Sequence, residues 1–186
     1  FLLAAAIFIS TSAFAQHEYL DHPVDIVHYD VSLELEDSTD EIRVYELITF
    51  KLEAECDSFF IDLASPTDSS GMSVYPELLV DYKDTKFRHE NDRLWIQTNP
   101  DWETGSVHEL KMFFSGVPET GLIIGENRFG NRTFFGDNWP NRAHHWFACV
   151  DHPSDKATIK YSVVIPSHYQ CIATGKFVSR TMVNNG

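Results

Sequence analysis

The chain has 186 residues, with 28 Asp and Glu against 14 Lys and Arg, for a formal charge of −14. Such a surface repels phosphate backbones, whose protein affinity comes mainly from Lys and Arg, and no basic stripe with interleaved aromatics is present; this excludes nucleic-acid binding and disfavours anionic membrane surfaces. With 43% hydrophobic, 23% charged and 13% aromatic residues, the composition is that of a folded domain leaning towards strands, and not of a disordered chain.

Residues 1–15, FLLAAAIFISTSAFA, are apolar, uncharged and too short to span a bilayer. They end in Ala13-Phe14-Ala15, the small-x-small pattern of signal peptidase sites, so a signal peptide cut before Gln16 is expected. That implies a secreted or periplasmic protein without stable membrane insertion. Export permits disulfides, but Cys56, Cys149 and Cys171 allow at most one pair and contain no C-x-x-C motif, so at least one is expected to be a buried small apolar residue.

His17–Val27 reads as a polar lead-in. A period of two then begins. Tyr29, Val31, Leu33 and Leu35 share one face of a predicted strand. After the polar turn Asp37–Asp40, a longer strand carries Ile42, Val44, Ile48, Phe50 and Leu52 on one face, interrupted only by Glu46. Phe59–Leu63 is a short apolar strand ended by Ser65-Pro66, and Val74–Val80 and Arg93–Gln97 read as further strands. Another runs from Val107 to Phe114. Glu119–Asn141 holds Gly121, Gly125, Gly130 and Gly136 without sustained alternation, which predicts a long irregular surface segment of the kind that often carries function. Strand pattern returns at Thr158–Ile165 and again at Gln170–Ala173, and the turn-like Asn184-Asn185-Gly186 suggests a longer parent chain. Short strands at regular spacing, with no amphipathic helix, predict an all-β fold: an antiparallel sandwich or twisted pair of sheets. No repeat, low-complexity stretch or linker divides residues 16–186.

Motifs for chemistry are sparse. His89-Glu90 is followed by Arg93 where H-E-x-x-H needs a second His, so that zinc motif is absent. His144 and His145 are adjacent; in a strand they would point to opposite faces and could not share an ion. No G-x-S-x-G is present, and the sequon Asn131-Arg132-Thr133 is short enough to arise by chance. These observations assign the chain neither a catalytic residue nor a metal ligand.

The densest stretch is Phe134–Ala157, FFGDNWPNRAHHWFACVDHPSDKA. Trp146 and Phe147 are expected to anchor it on the core, with Asp151, Pro153, Ser154 and Asp155 forming a capped turn and Lys156 pairing with either acid. Its part Ala143–Ala157 resembles the A-R-x-x-x-P-C-x-D-x-P-x-x-K-A segment of the aminopeptidase N and leukotriene hydrolase family of zinc metallopeptidases, with His144 in place of Arg and Ala148 in place of Pro. Ser115-Gly116-Val117-Pro118 with Gly121-Leu122, the opening His28–Leu33, Ile165-Pro166 and Ala173-Thr174-Gly175 match the same pattern in order.

The resemblance implies that residues 16–186 are the N-terminal β-domain of an exported aminopeptidase, a saddle of sheets packed on a catalytic domain of the same chain. That catalytic domain would hold the zinc, and the present residues alone would be inactive. In the family, the loop before the A-R pair binds the free amino group of a peptide substrate through Gln or Glu. Those positions fall on Asp137, which can accept from an ammonium, and Trp139, whose indole only donates; Asn138 would substitute if the register differs by one. A non-catalytic β-sandwich binding module, or a family member without activity, is the alternative.

Overall fold

The computed structural model describes residues 21–182. The expected signal peptide, residues 1–15, and the Asn184–Gly186 turn lie outside the described residues.

Strand β1 (Val24–Glu34) pairs antiparallel with β2 (Ile42–Leu52), and β2 pairs antiparallel with β9 (Val107–Val117). These three eleven-residue strands form the centre of a seven-stranded sheet. Its margins are β4 (Gly71–Val74), β5 (Leu79–Val80) and β6 (Lys83–Asp84) on one side and β12 (Thr158–Val164), parallel to β1, on the other. A second sheet of β3 (Ser58–Asp62), β8 (Arg93–Gln97) and β7 (Phe87–Glu90) packs across its inner face, and β10 (Leu122–Glu126) pairs with β11 (Arg132–Gly136) as a separate hairpin. The all-β expectation holds.

Alternation decides which residues enter the core. Ile42, Val44, Ile48 and Phe50 of β2 are fully buried, as are Leu110 and Phe114 of β9, and they meet Phe59 and Ile61 of β3 and Leu94 and Ile96 of β8. Phe50 and Phe59 touch across the sheets with ring centroids 4.9 Å apart. Each such side chain contributes about 1.5–3 kcal/mol by leaving water.

The structure revises several expectations. Val24–Val27 is strand and not lead-in: Val24 and Ile26 are buried, a register shift between Ile26 and His28 follows, and buried positions then move to Tyr29, Val31 and Leu33. The bulge moves the inward side chains from even to odd numbers, which hides the first half of the strand from a period-two reading. Glu119–Asn141 contains the β10–β11 hairpin, whose side chains are mostly half-buried or exposed on both faces and so never alternate. Gln170–Ala173 is not a strand; Ile172 is 87% exposed and pairs with no neighbour among the described residues. Strand propensity is realised only where another strand supplies the ladder. All three cysteines are free thiols, with Cys149 buried.

Candidate functional site

The Trp- and His-rich stretch leaves the hairpin at Gly136 and returns to the sandwich in two parts. Ala143–His145 forms one turn of 3-10 helix, and Ala143 and Trp146–Val150 are buried. Side chains from three strands satisfy the backbone of this inner part. Glu46 of β2 accepts from the Ala148 N–H at 2.9 Å, Tyr29 of β1 from Val150 at 3.0 Å, and Asp62 of β3 from Asp151 at 3.0 Å. Asp62 and Cys149 also exchange backbone hydrogen bonds of 2.8 and 3.0 Å. A buried irregular segment must place its N–H and C=O groups somewhere. Here the inner strands take them.

His144 and His145 do not point apart as strand neighbours would; on the 3-10 turn their rings lie 4.4 Å apart at 35°. Nδ1 of His144 donates to Asp151 Oδ2 at 2.7 Å, and the His144 N–H reaches the same oxygen at 3.2 Å. The hydrogen bond to Asp151 raises the His144 pKa against the opposing effect of burial. Burial alone would raise the Asp151 carboxyl, but the hydrogen bonds from His144 outweigh it and hold that carboxyl below its ordinary value. Burial, followed by repulsion from charged His144, lowers His145. The surroundings thus favour the charged form of His144 and the neutral form of His145. The partner of Asp151 is His144, and the Asp155 N–H closes its turn on the His152 carbonyl at 3.1 Å.

The outer part, residues 137–142, presents the three residues that the sequence singles out. The Asp137 N–H is fixed to the Gly121 carbonyl at 2.7 Å, and Asp137 Oδ2 accepts from Arg142 Nη1 at 2.8 Å. Its side chain remains 40% exposed. Asn138 is exposed, but its Oδ1 is committed to the Trp146 indole N–H at 2.9 Å and its carbonyl to the Arg142 N–H at 3.1 Å. Trp139 is 80% exposed and precedes a cis peptide bond to Pro140. Gly121 lies so close to the turn that a Cβ there would stand 2.0 Å from the Arg142 carbonyl oxygen. Only glycine fits that approach. The structure therefore brings Asp137, Asn138 and Trp139 onto one exposed turn backed by buried Trp146.

The sequence profile of the peptidase M1 N-terminal domain matches residues 26–186, nearly the whole chain. The chain belongs to that family. Its fold is similar to an M1 zinc metallopeptidase from Deinococcus radiodurans, at 19% identity and a TM-score of 0.73, covering 88% of this chain and 37% of that one. A mutant M1 zinc metallopeptidase of that organism, bound to a Tyr-Ser-Ala substrate, aligns at 21% identity and a TM-score of 0.72, covering 87% and 37%. Yeast LTA4 hydrolase in complex with bestatin aligns at 22% and 0.62, covering 77% and 23%. The chain thus spans about a third of the length of the first of these structures. Comparison with curated proteins returns no match.

Elsewhere, this M1 N-terminal domain brings together groups that sequence reasoning missed. Ser106 Oγ lies 2.6 Å from Nε2 of His108, whose Nδ1 lies 2.7 Å from Asp81 Oδ2, an arrangement with the connectivity of a catalytic triad. The nearest backbone donors are committed, Ser106 to the Glu103 carbonyl at 2.9 Å and Gly105 to that of Leu52 at 2.7 Å, and His108 is buried beneath Trp102. Neither of these two N–H groups is free to serve an oxyanion at the serine. The cluster is a structural tie between β9 and the Asp81 turn. Glu46, the one interruption in the apolar face of β2, is fully buried; its place in an apolar row is the signal in the sequence. Among the described residues no group of three His, Cys, Asp or Glu is placed to hold a metal ion, so the zinc implied for the family does not fit here. No helix among them is long and apolar enough to cross a membrane.

Proposed function

We propose that this M1 N-terminal domain anchors the amino terminus of a peptide substrate for an exported zinc aminopeptidase. The observation that carries the reading is the Asp137 carboxylate, which projects from a turn pinned to the core. Arg142 occupies Oδ2, while Oδ1 has no partner among the described residues and is available to a substrate ammonium. Asn138, with its acceptor taken by Trp146, offers its amide N–H groups to a substrate carbonyl. Exposed Trp139 supplies an apolar wall beside them.

A catalytic domain of the same chain completes the site and holds the zinc, which when bound supplies an activated water. The present residues alone are inactive in this reading. Export rests on the apolar 1–15 segment and its Ala-Phe-Ala end, and places the enzyme outside the cytoplasm, secreted or periplasmic.

The test is hydrolysis of an aminoacyl anilide by the full-length protein, before and after chelation. Activity lost with zinc and restored by it supports the reading; activity that persists after complete zinc removal, or its absence from the zinc-loaded protein, overturns it. A second reading, a non-catalytic binding module, draws on a concavity of about 440 Å³ on the outer face of the large sheet, lined by Tyr45, Tyr75, Glu77, Lys111 and Phe113. Inactivity of the zinc-loaded full-length protein would favour it.

A further inference from the structure

Glu46 is the one acidic side chain in the described core with no exposure at all. It sits mid-strand between Val31 of β1 and Met112 of β9, in a row otherwise made of Ile, Val, Phe and Leu. Its Oε2 accepts the Ala148 N–H, and its Oε1 has no partner. Two residues before Ala148, the indole of Trp146 donates to Asn138 Oδ1, and Asn138 is the immediate neighbour of Asp137. Trp146 is itself wedged between Phe147, at 4.7 Å, and Tyr161 of β12, at 6.2 Å. A short line of contacts therefore runs from the centre of the large sheet to the exposed turn.

We propose that Glu46 is a positioning residue for the substrate-facing turn: by holding the backbone of Ala148 it fixes Trp146, and through Trp146 the orientation of Asn138 and Asp137. This inference rests on the substrate-anchoring reading for its effect on kinetics, but its structural half stands by itself.

The chemistry of the site adds a pH dependence. The ionisable groups around Glu46 are Tyr29 of β1, Tyr161 of β12 and Cys149 of the inner segment, all of them acids that add negative charge on ionisation, and Val31 and Met112 across the sheet are apolar. No cation stands among them. Burial therefore holds the Glu46 proton well above the ordinary carboxyl range, with the Ala148 hydrogen bond opposing only in part. An acid that keeps its proton more tightly when folded lends stability in full below the unfolded value near about 4.3, and loses it as pH rises towards the folded value. Ionisation, where pH rises through the folded value, places an anion without a counterion in the core, and the segment above must open to admit water. Release of Trp146 from Asn138 follows.

Two readouts on the full-length protein separate the two halves of the proposal. The first is the indole ¹H–¹⁵N resonance of Trp146, assigned with Trp146→Phe. The second is the pH profile of KM and kcat on an aminoacyl anilide. In the parent protein the resonance moves towards that of a free indole as pH rises, and KM rises with it while kcat changes less. Glu46→Gln keeps an acceptor for Ala148 but cannot ionise; its resonance and KM are expected to match the parent below the parent's transition and to stay flat through it. Glu46→Leu removes the acceptor, and its resonance is expected at the released position at every pH, with KM several-fold higher. A Trp146 resonance that is the same in all three proteins across the pH range overturns the inference whatever the kinetics show. A resonance that moves as described while KM does not would confirm the latch and overturn its link to substrate.

Discussion

Residues 137–142 and 143–151 adjoin in sequence and differ in burial and in where their backbone groups bond. The inner part is buried, and its backbone groups bond to Glu46, Tyr29 and Asp62 of three different strands. The outer part is half-buried to exposed and is tied to itself, to Gly121 and, through Asn138, to the Trp146 indole. An exposed turn loses conformational entropy when it is held in one shape, and here the loss is offset by burying its sequence neighbours. The lesson is that the rigidity of an exposed turn can be sought in the residues that follow it.

That contrast predicts opposite responses to mutation, in stability for the inner part and in substrate affinity for the outer. The largest effect is expected from Trp146→Ala. Removing this buried indole should cost about 3–5 kcal/mol in urea unfolding, by analogy with other large-to-small aromatic substitutions in cores. A loss under about 1 kcal/mol would show that the inner segment is not part of the core.

Next comes the His144–Asp151 pair. His144→Ala strands a mostly buried carboxylate and should cost about 1–3 kcal/mol near neutral pH. The sign of its pH dependence follows from both partners. His144, raised, gives its full stabilisation below about pH 6.5 and loses it as pH climbs through its folded value; Asp151, lowered, gives its own above about pH 3.9 and loses it as pH falls through the folded value. The difference between parent and His144→Gln should thus be greatest between about pH 4 and 6.5 and shrink on either side. A difference that stays the same from below that window to well above it would mean the pair contributes no charge.

The outer residues should behave otherwise. Asp137→Ala is expected to raise KM for substrates with a free amino terminus by about tenfold, matching loss of a charge-assisted hydrogen bond of about 1.5 kcal/mol. Its stability should change by no more than about 0.5 kcal/mol, as for a surface substitution. A destabilisation as large as that of Trp146→Ala would erase the distinction between the two parts. The smallest effect is expected from Trp139→Ala: no measurable change in melting, since the ring is 80% exposed, and a modest rise in KM.

Much of this contrast was legible in the sequence. The alternation of Tyr29, Val31, Leu33 and of Ile42, Val44, Ile48, Phe50 gave the central strands and their inward faces, because one buried face with one wetted face writes itself as a period of two. The run around Asp151 and Pro153 gave the family, and Trp146 and Phe147 are the anchors their size and apolarity suggested. What could not be read were long-range pairings. Glu46 looks like a flaw in a strand until Ala148, 102 residues away, is placed against it. The triad-like Asp81–His108 contact spans 27 residues and has no local signature. The commitment of Asn138 to Trp146 depends on a turn whose path no periodicity encodes.

The central claim, that the Asp137 carboxylate receives a substrate ammonium, is tested most directly by a coupling measurement on the full-length protein. The inhibition constant of a peptide-like competitive inhibitor is compared with that of its analogue lacking the amino group, in the parent and in Asp137→Ala. The account predicts that deleting the amino group weakens binding by about tenfold or more in the parent and by much less in the variant, a coupling of at least about 1 kcal/mol. An equal loss in both proteins would show that Asp137 does not meet the amino terminus, and would contradict the account.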